Sequence, residues 1–191
     1  MYEKLSNQMA QFLIRNGVGK SKYLEVYAYG FENVISTIFN TIILLLIGVT
    51  LGLGREILVY MCFFAMLRNH AGGMHKSTHF SCVFTYGVIA FFHILVLREI
   101  FQNDRLFAVG IGIVYLITTS ILVFRYAPAD SKNKRLCEKE KEIQKIKSRK
   151  VLVIEAGFIL GMILGQQDWL AMVATAAVMT QAITLLPIIN S

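Results

Sequence analysis

The chain has 191 residues, of which 55% are hydrophobic and only 16% are charged. Soluble domains carry about 25% charged residues, and the apolar residues here form long runs, so we expect most of the chain to lie in a lipid bilayer. The formal net charge of +7 is then expected to set membrane topology and favour anionic lipid, and since no nucleic-acid-binding motif accompanies it, nucleic acid is not an expected partner.

The N-terminal segment 1–27 is predicted to lie on a membrane face. Its apolar residues recur at i, i+4, i+7 and i+8, which places them on one side of a helix: Leu5, Met9, Phe12 and Leu13. A second short helix is predicted over residues 18–29, and the competing interpretation of the segment is an ordinary solvated tail. Charges throughout the first 22 residues argue against a cleavable signal peptide.

Six membrane-spanning helices are predicted, since one span needs roughly 20 apolar residues. The expected fold class is an all-α polytopic membrane protein, with one integral membrane domain over residues 1–191. Residues 28–124 hold four spans and a polar loop at 68–82, residues 125–150 form a basic loop, and residues 151–191 hold two more spans. The predicted spans are 30–52, 55–68, 80–98, 106–124, 151–166 and 169–189.

Basic residues predict the orientation of these spans. The 125–150 loop contains ten of the 19 Lys and Arg residues, and such an excess marks the cytoplasmic side of a membrane. With six crossings, both termini and the 68–82 loop are expected on the cytoplasmic side, together with the 125–150 loop. This side then carries 16 of the 19 basic residues.

The polar loop 68–82 holds three of the four histidines and one of the three cysteines. The cysteines are odd in number and scattered along the chain, so we expect free thiols. A cysteine with histidines nearby is a candidate nucleophile with a general base. Cys82 is therefore the candidate nucleophile.

The spacing of His75 and Cys82 requires a break in the chain between them. On one continuous helix, residues seven apart share a face but lie about 10 Å apart along the axis, too far for a hydrogen bond. The Gly72-Gly73 pair provides a flexible entry, and Ser77 or Thr78 can cap a new helix. Cys82 would then lie in the first turns of the third span, where free N–H groups and the helix dipole favour a thiolate.

Other readings of the loop remain open from spacing alone. His79 shares a helical face with Cys82 at i−3, and spacing alone favours it slightly over His75 as base, whereas His70 is farther away. A metal site formed by these residues and His75 fits no standard zinc pattern. The loop could also be a polar turn at the membrane interface without chemistry.

Polar residues inside the predicted spans are costly in lipid and therefore pair with other groups or act in function. Glu155 lies one turn inside the fifth span, and we expect it to be structurally paired. His93 and Gln181 lie deeper, and we expect them to tie helices together.

Two motifs stand out at the polar segments of the chain. The first consists of Arg68, the Gly72-Gly73-x-His75 motif and Cys82 seven residues later. The second is the sequence Arg-Tyr-Ala-Pro-Ala-Asp at 125–130, which opens the basic loop. In these motifs the chain resembles the accessory gene regulator protein B (AgrB) family, bacterial membrane endopeptidases of quorum sensing. Together with length and predicted spans, the resemblance covers nearly the whole chain.

The resemblance implies specific roles for residues of the polar loop. It implies His75 as general base and Cys82 as nucleophile, with no metal and no cofactor. It moves His79 and His70 to supporting roles. The supporting or substrate-binding residues that it suggests are Arg68, Gly72, Gly73, Ser81 and His79.

The implied substrate is a precursor peptide of the AgrD type, whose acidic C-terminal tail is removed through a thioester on Cys82, leading to a cyclic thiolactone or lactone peptide. Lys132, Lys134 and Arg135 are a candidate dock for that tail, and plain membrane topology explains the same charge equally well. A homodimer in the bacterial cell membrane is expected from the resemblance. The alternative functions are a transporter, although no repeat symmetry supports one, and a receptor or scaffold.

Overall fold

The computed structural model describes residues 2–73, 79–129 and 137–187. These residues form seven α-helices and no β-strand, which confirms the all-α architecture. A 3-10 turn at Ser21–Tyr23 precedes the second helix. The helices are α1 (Tyr2–Arg15), α2 (Leu24–Thr50), α3 (Gly54–Ala71), α4 (His79–Asn103), α5 (Arg105–Tyr126), α6 (Glu138–Leu164) and α7 (Asp168–Ile183).

Three stretches of the described chain are long and apolar enough to cross a membrane: Ser21–Thr50, Phe84–Asn103 and Arg105–Tyr126. They correspond to the first, third and fourth predicted spans. The helix α7 is apolar but shorter, and α3 and α6 carry more charged residues. The second, fifth and sixth spans therefore remain predictions.

In the basic segment 125–150, residues 138–150 are helical. Residues 138–150 form the first half of α6, because their Glu, Lys, Gln and Arg residues favour helix. A capping box starts this helix: the Cys137 side chain accepts from the backbone of Glu140, whose carboxylate accepts from the Cys137 N–H at 3.1 Å. The region between α5 and α6 is thus limited to residues 127–137.

A similar difference concerns the segment before the first span. The second short helix predicted over residues 18–29 is not separate, because α2 runs without interruption from Leu24 to Thr50. The amphipathic pattern of α1 does correspond to a helix whose apolar residues are exposed: Phe12 is 70% exposed and Leu5 47%. Its location on a membrane face remains a prediction.

The chain forms two compact units, of which the first consists of Met1–Ile47 and Lys76–Gly87. Within this unit α2 and the start of α4 approach closely at Gly87. A Cβ atom at this position would overlap the side chain of Leu44. A glycine here therefore allows the two helices to pack.

The second unit consists of Gly48–His75 and Val88–Ser191, and α7 is its central helix. Within this unit α7 packs against α3, α5 and α6. Small side chains allow this close packing. The alanines of α7 that are at most 2% exposed are Ala171, Ala174, Ala176, Ala177 and Ala182.

Polar contacts fix the N-terminal end of α7 to its neighbours. Asp168 forms a salt bridge with Arg105 at the start of α5. The indole Nε1 of Trp169 donates to Glu56 Oε1 in α3 at 3.0 Å. These contacts tie the N-terminal end of α7 to α5 and α3, and the candidate site lies at the opposite end of α7.

Candidate functional site

The end of α3 is built around two glycines. The N–H of Gly72 donates to the carbonyl of Arg68 at 3.1 Å and closes the helix. Gly72 then adopts φ +72° and ψ −150°, and Gly73 adopts φ +128°. Side chains rarely tolerate such conformations. The Gly72-Gly73 pair of the sequence motif is therefore a structural requirement of this turn.

The segment after α5 lies directly against this turn. The N–H of Ala129 donates to the carbonyl of Ala71 at 2.9 Å, and Ala129 forms an isolated parallel bridge with Gly72. A Cβ atom on Gly72 would overlap the carbonyl oxygen of Ala129. The two motifs that carry the family resemblance, separated by more than fifty residues in sequence, thus meet in the fold.

Gln181 of α7 joins the same turn from inside the protein. Its side chain is fully buried. Its Nε2 donates to the carbonyl of Gly72 at 2.6 Å, and its Oε1 accepts from Nη1 of Arg68 at 3.3 Å. The hydroxyl of Thr184 occupies the space where a Cβ atom on Gly73 would lie. We call Gly72, Gly73, Ala129, Gln181 and Thr184 the glycine junction.

The candidate base and tail-binding residues lie outside the described part of the chain: His75, Lys132, Lys134 and Arg135. The backbone of Cys82 is described and is the fourth residue of α4. Within α4, residues Phe84–Asn103 are long and apolar enough to cross a membrane. Ser81 and His79 precede Cys82 in the same helical turn. Cys82 belongs to the first compact unit and the glycine junction to the second.

Arg68 and His70 both lie near the end of α3, but their side chains contact different helices. His70 Nδ1 lies 3.3 Å from Gln144 Oε1 of α6, so His70 connects two helices. The guanidinium of Arg68 lies 5.6 Å from the ring of Phe64, in addition to its contact with Gln181. Arg68 therefore contacts the glycine junction through Gln181, whereas His70 contacts α6.

A second polar cluster lies farther along α7. The Tyr60 hydroxyl donates to Thr180 Oγ1 at 2.6 Å, and Thr180 Oγ1 donates to the Ala176 carbonyl at 2.9 Å. His93 Nδ1 lies 3.3 Å from Thr180 Oγ1, and its Nε2 lies 3.2 Å from the Tyr115 hydroxyl. A neutral His93 with its proton on Nδ1 satisfies all of these contacts. The cluster ties four helices together, as expected for His93.

Glu155 of α6 differs from these paired groups. It is fully buried, and its carboxyl group has no side-chain hydrogen-bond partner among the residues that the structure describes; its polar neighbour is the backbone of Leu67 in α3. The pairing with another side chain expected from the sequence is not found within this part of the chain. Burial of a carboxylate without a partner is costly.

The apolar helices define the chain as a membrane protein with a polar junction at the end of one helix. Its sequence matches the model of the family described as Accessory gene regulator B (AgrB) over residues 6–185, and the chain belongs to this family. Family membership implies a role in quorum-sensing peptide processing and an AgrD-like peptide as substrate.

Two similar proteins come from Clostridium perfringens. One is named "Putative AgrB-like protein 2" in strain 13 / Type A, and the other "Putative AgrB-like protein" in strain SM101 / Type A. Each is 28% identical over 157 residues, which cover 81% of this chain and 73% of the relative. No solved structure matches the chain.

The sequence indicated the glycines of the junction but not the residues that hold them. Arg68, Gly72 and Gly73 were candidates from their motif. Gln181 was expected only to tie helices together, and its signal was a lone amide inside an apolar span. Thr184 gave no signal, because a threonine near the end of an apolar helix is common.

Proposed function

We propose that this protein is a membrane cysteine endopeptidase that removes the C-terminal tail of an AgrD-like precursor, with Cys82 as nucleophile and His75 as general base. The observation that carries the proposal is the glycine junction. It holds Gly72 and Gly73 in conformations that a side chain would disturb, immediately before the segment that contains His75.

The proposal places Cys82 in the first turns of α4, which the structure describes from His79 onward. The first four N–H groups of a helix have no partner within it. These donors and the positive end of the helix dipole favour a thiolate. The same donors are candidates to stabilise an oxyanion. The adjacent apolar stretch would keep this chemistry near a membrane surface.

The proposed reaction has two acyl-transfer steps. The Cys82 thiolate, formed as His75 takes its proton, attacks the carbonyl carbon of the peptide bond that precedes the tail. The tetrahedral intermediate collapses, His75 returns the proton to the departing amine, and a peptidyl thioester remains on Cys82. A cysteine or serine of the precursor then attacks this thioester, loses its proton, and closes the ring, which restores the Cys82 thiol. Intramolecular attack competes well with water because its effective molarity is high.

The topology and assembly of the enzyme are part of the proposal. Six spans, with both termini and the polar loop in the cytoplasm, agree with the distribution of Lys and Arg. The resemblance supports a homodimer in the bacterial cell membrane. Under this arrangement the precursor reaches the enzyme from the cytoplasmic side, where its amphipathic half would lie on the lipid surface.

Intact-mass analysis of the purified protein mixed with an AgrD-like precursor tests the proposal. We expect a covalent adduct with the mass of the tail-free precursor, with release of the tail. Cys82→Ala should give neither product, and His75→Ala should form the adduct far more slowly. Equal behaviour of all three proteins with a precursor that another family member processes would reject the enzyme. A transporter or scaffold would then be the better explanation.

A further inference from the structure

One side of α6 carries an apolar seam along most of its length. The residues of the seam lie alternately three and four positions apart, which is the spacing of the a and d positions of a heptad repeat. Each is exposed among the residues that the structure describes, whereas Leu152 and Ile159 on the opposite side are buried. Lys150 occupies one further position of the repeat. The apolar members of this α6 seam are Ile143, Ile146, Val153, Gly157, Leu160 and Leu164.

Two glycines on the exposed side of α6 are not required by the packing within one copy. A Cβ atom at Gly157 or Gly161 would meet no described atom within 4 Å, yet a glycine inside a helix costs about 1 kcal/mol relative to alanine. Together with Ile154, Phe158 and Met162, these glycines line an open groove. Small residues four positions apart allow the backbones of two membrane helices to approach closely. The groove therefore has the form of a contact surface for another helix.

The first half of the seam needs a cover other than lipid. Ile143 and Ile146 are 45% and 56% exposed, and the turns of α6 around them are rich in Lys and Glu. They precede the predicted fifth span, which begins at residue 151, so lipid tails would not reach them. Exposed apolar side chains gain free energy when another apolar surface covers them. A second helix along the whole seam would cover both halves.

Charges beside the seam identify this second helix as another copy of α6. With Ile143 at position a of the repeat, Glu142 is at position g and Lys147 at the next position e. In a parallel pair of helices, these positions face each other across the seam, and opposite charges there form salt bridges between the helices. A single lysine at an a position, as at Lys150, is typical of pairs with a defined register. Copies with the same membrane topology present α6 in the same direction, as this pairing requires.

We propose that α6 forms the interface of a homodimer, in which the seams of two copies pack in parallel around a twofold axis normal to the membrane. Glu142 pairs with Lys147 of the partner subunit at the charged end, and the symmetry repeats this pair. Gly157 and Gly161 bring the two helices close together at the apolar end. This inference rests on the homodimer of the proposed function and assigns the surface through which it forms.

Charge reversal tests the pairing in the full-length protein. Energy transfer between donor-labelled and acceptor-labelled copies in detergent measures the Kd of the dimer. Glu142→Lys and Lys147→Glu each place like charges across the interface and should raise the Kd about tenfold at low salt. Combining the two substitutions should restore the Kd of the parent. Residues five positions apart do not face each other within one helix, so this rescue requires a second copy.

Lys145→Glu is the matched control for the charge reversals. Lys145 is exposed on α6 and makes the same change of charge as Lys147→Glu, but it lies away from the seam. Its Kd should equal that of the parent. An equal rise of the Kd in Lys145→Glu, or no rescue in the combined variant, would overturn the pairing.

A leucine in the groove tests the apolar half of the interface. Gly157→Leu should raise the Kd at least about tenfold, because the added side chain separates the two helices. The fold of one copy should tolerate it, since a Cβ atom there meets open space. Gly110→Leu is the control: Gly110 is an exposed helical glycine on α5 with equally open surroundings. Equal Kd values for Gly157→Leu and Gly110→Leu would overturn the role of the groove.

Cysteine crosslinking separates failure of the interface from failure of the homodimer. In full-length protein with serine at positions 62, 82 and 137, Ile146→Cys should form a disulfide between copies on mild oxidation, whereas Lys145→Cys should not. If the parent is a dimer but Ile146→Cys is not crosslinked and Gly157→Leu has no effect, the interface is wrong and the homodimer stands. If the parent is a monomer, the homodimer and this inference both fail, and the intact-mass experiment still decides the endopeptidase.

Discussion

Gly72 and Gly73 each combine a positive φ with a neighbouring group in the space of a Cβ atom. Gly17 and Gly52 also have positive φ values, +73° and +69°, but nothing lies within 4 Å of a Cβ atom at either position. A side chain at Gly52 would therefore meet only backbone strain, whereas one at Gly72 would also meet the carbonyl of Ala129. Comparing substitutions at these two glycines therefore separates the effect of backbone strain from the effect of a steric clash.

We expect Gly72→Ala and Gly73→Ala to reduce precursor cleavage at least about tenfold, because the polar loop would have to shift and small displacements of catalytic groups are costly. Gly52→Ala should leave cleavage nearly unchanged and cost about 1–2 kcal/mol of stability from backbone strain alone. Cleavage rates and melting curves of the three variants check this. Similar cleavage by Gly72→Ala and Gly52→Ala would contradict a functional role for the junction.

Glu155 permits a second prediction at the scale of a single residue. Its buried carboxyl group has no side-chain partner in the described part of the chain, and an uncharged amide is less costly to bury. Glu155→Gln should therefore raise the melting temperature by about 2–4 °C, equivalent to roughly 1 kcal/mol in a chain of this size. Thermal unfolding followed by Trp169 fluorescence measures the change.

Glu99→Gln is the matched control for this prediction, since Glu99 is exposed on α4. Its replacement should leave the melting temperature unchanged. A lower melting temperature for Glu155→Gln than for the parent would indicate that the carboxylate has an ionic partner and would contradict the prediction.

At the scale of elements, Thr180 connects α7 to α3 and α4 through one hydroxyl group. It accepts from Tyr60 at 2.6 Å and lies 3.3 Å from His93 Nδ1. Thr180→Val preserves the shape of the side chain but leaves both partners without this contact. We expect a loss of about 0.5–2 kcal/mol, the range of hydrogen bonds between membrane helices.

A double-mutant cycle with Tyr60→Phe checks this assignment. The combined loss in Thr180→Val with Tyr60→Phe should be smaller than the sum of the single losses, because both remove the same hydrogen bond. Melting temperatures in one detergent provide the four values of the cycle. Strict additivity would show that the two hydroxyl groups stabilise the protein independently.

The helices of this protein were predictable to different degrees, for physical reasons. The apolar cores of α2, α4 and α5 were predicted because length and hydropathy alone identify them. The first half of α6 was not, since its charged residues form a helix by propensity and capping without an apolar stripe. The role of Gln181 depends on the packing of α7 beside α3, which separate helices in the sequence do not reveal.

At the scale of the molecule, the glycine junction brings together the points from which two candidate functional segments continue. The segment with His75 continues from Gly73, and the segment with Lys132, Lys134 and Arg135 continues from Ala129. Gly72 and Ala129 are bridged. Under the proposed function, the segments that carry the candidate base and the candidate dock for the acidic tail therefore start at one bridge.

Neutralising the basic segment tests this coupling of tail binding to cleavage. Replacement of Lys132, Lys134 and Arg135 by glutamine should raise KM for the precursor about tenfold at low salt, since three ion pairs with the acidic tail contribute roughly 1–2 kcal/mol together. Salt should weaken binding to the parent and have little effect on the variant. The kcat value should change little, because the triple substitution leaves the glycine junction intact.

A second triple variant separates a local dock from the effect of net charge. Lys139, Lys145 and Lys147 are exposed on α6, and their replacement by glutamine removes the same charge from the same basic region. If the tail binds the segment beside the glycine junction, this control should retain most of the affinity and salt dependence of the parent. Equal losses in both variants would show that the 125–150 region acts only through its overall charge, as membrane topology alone predicts.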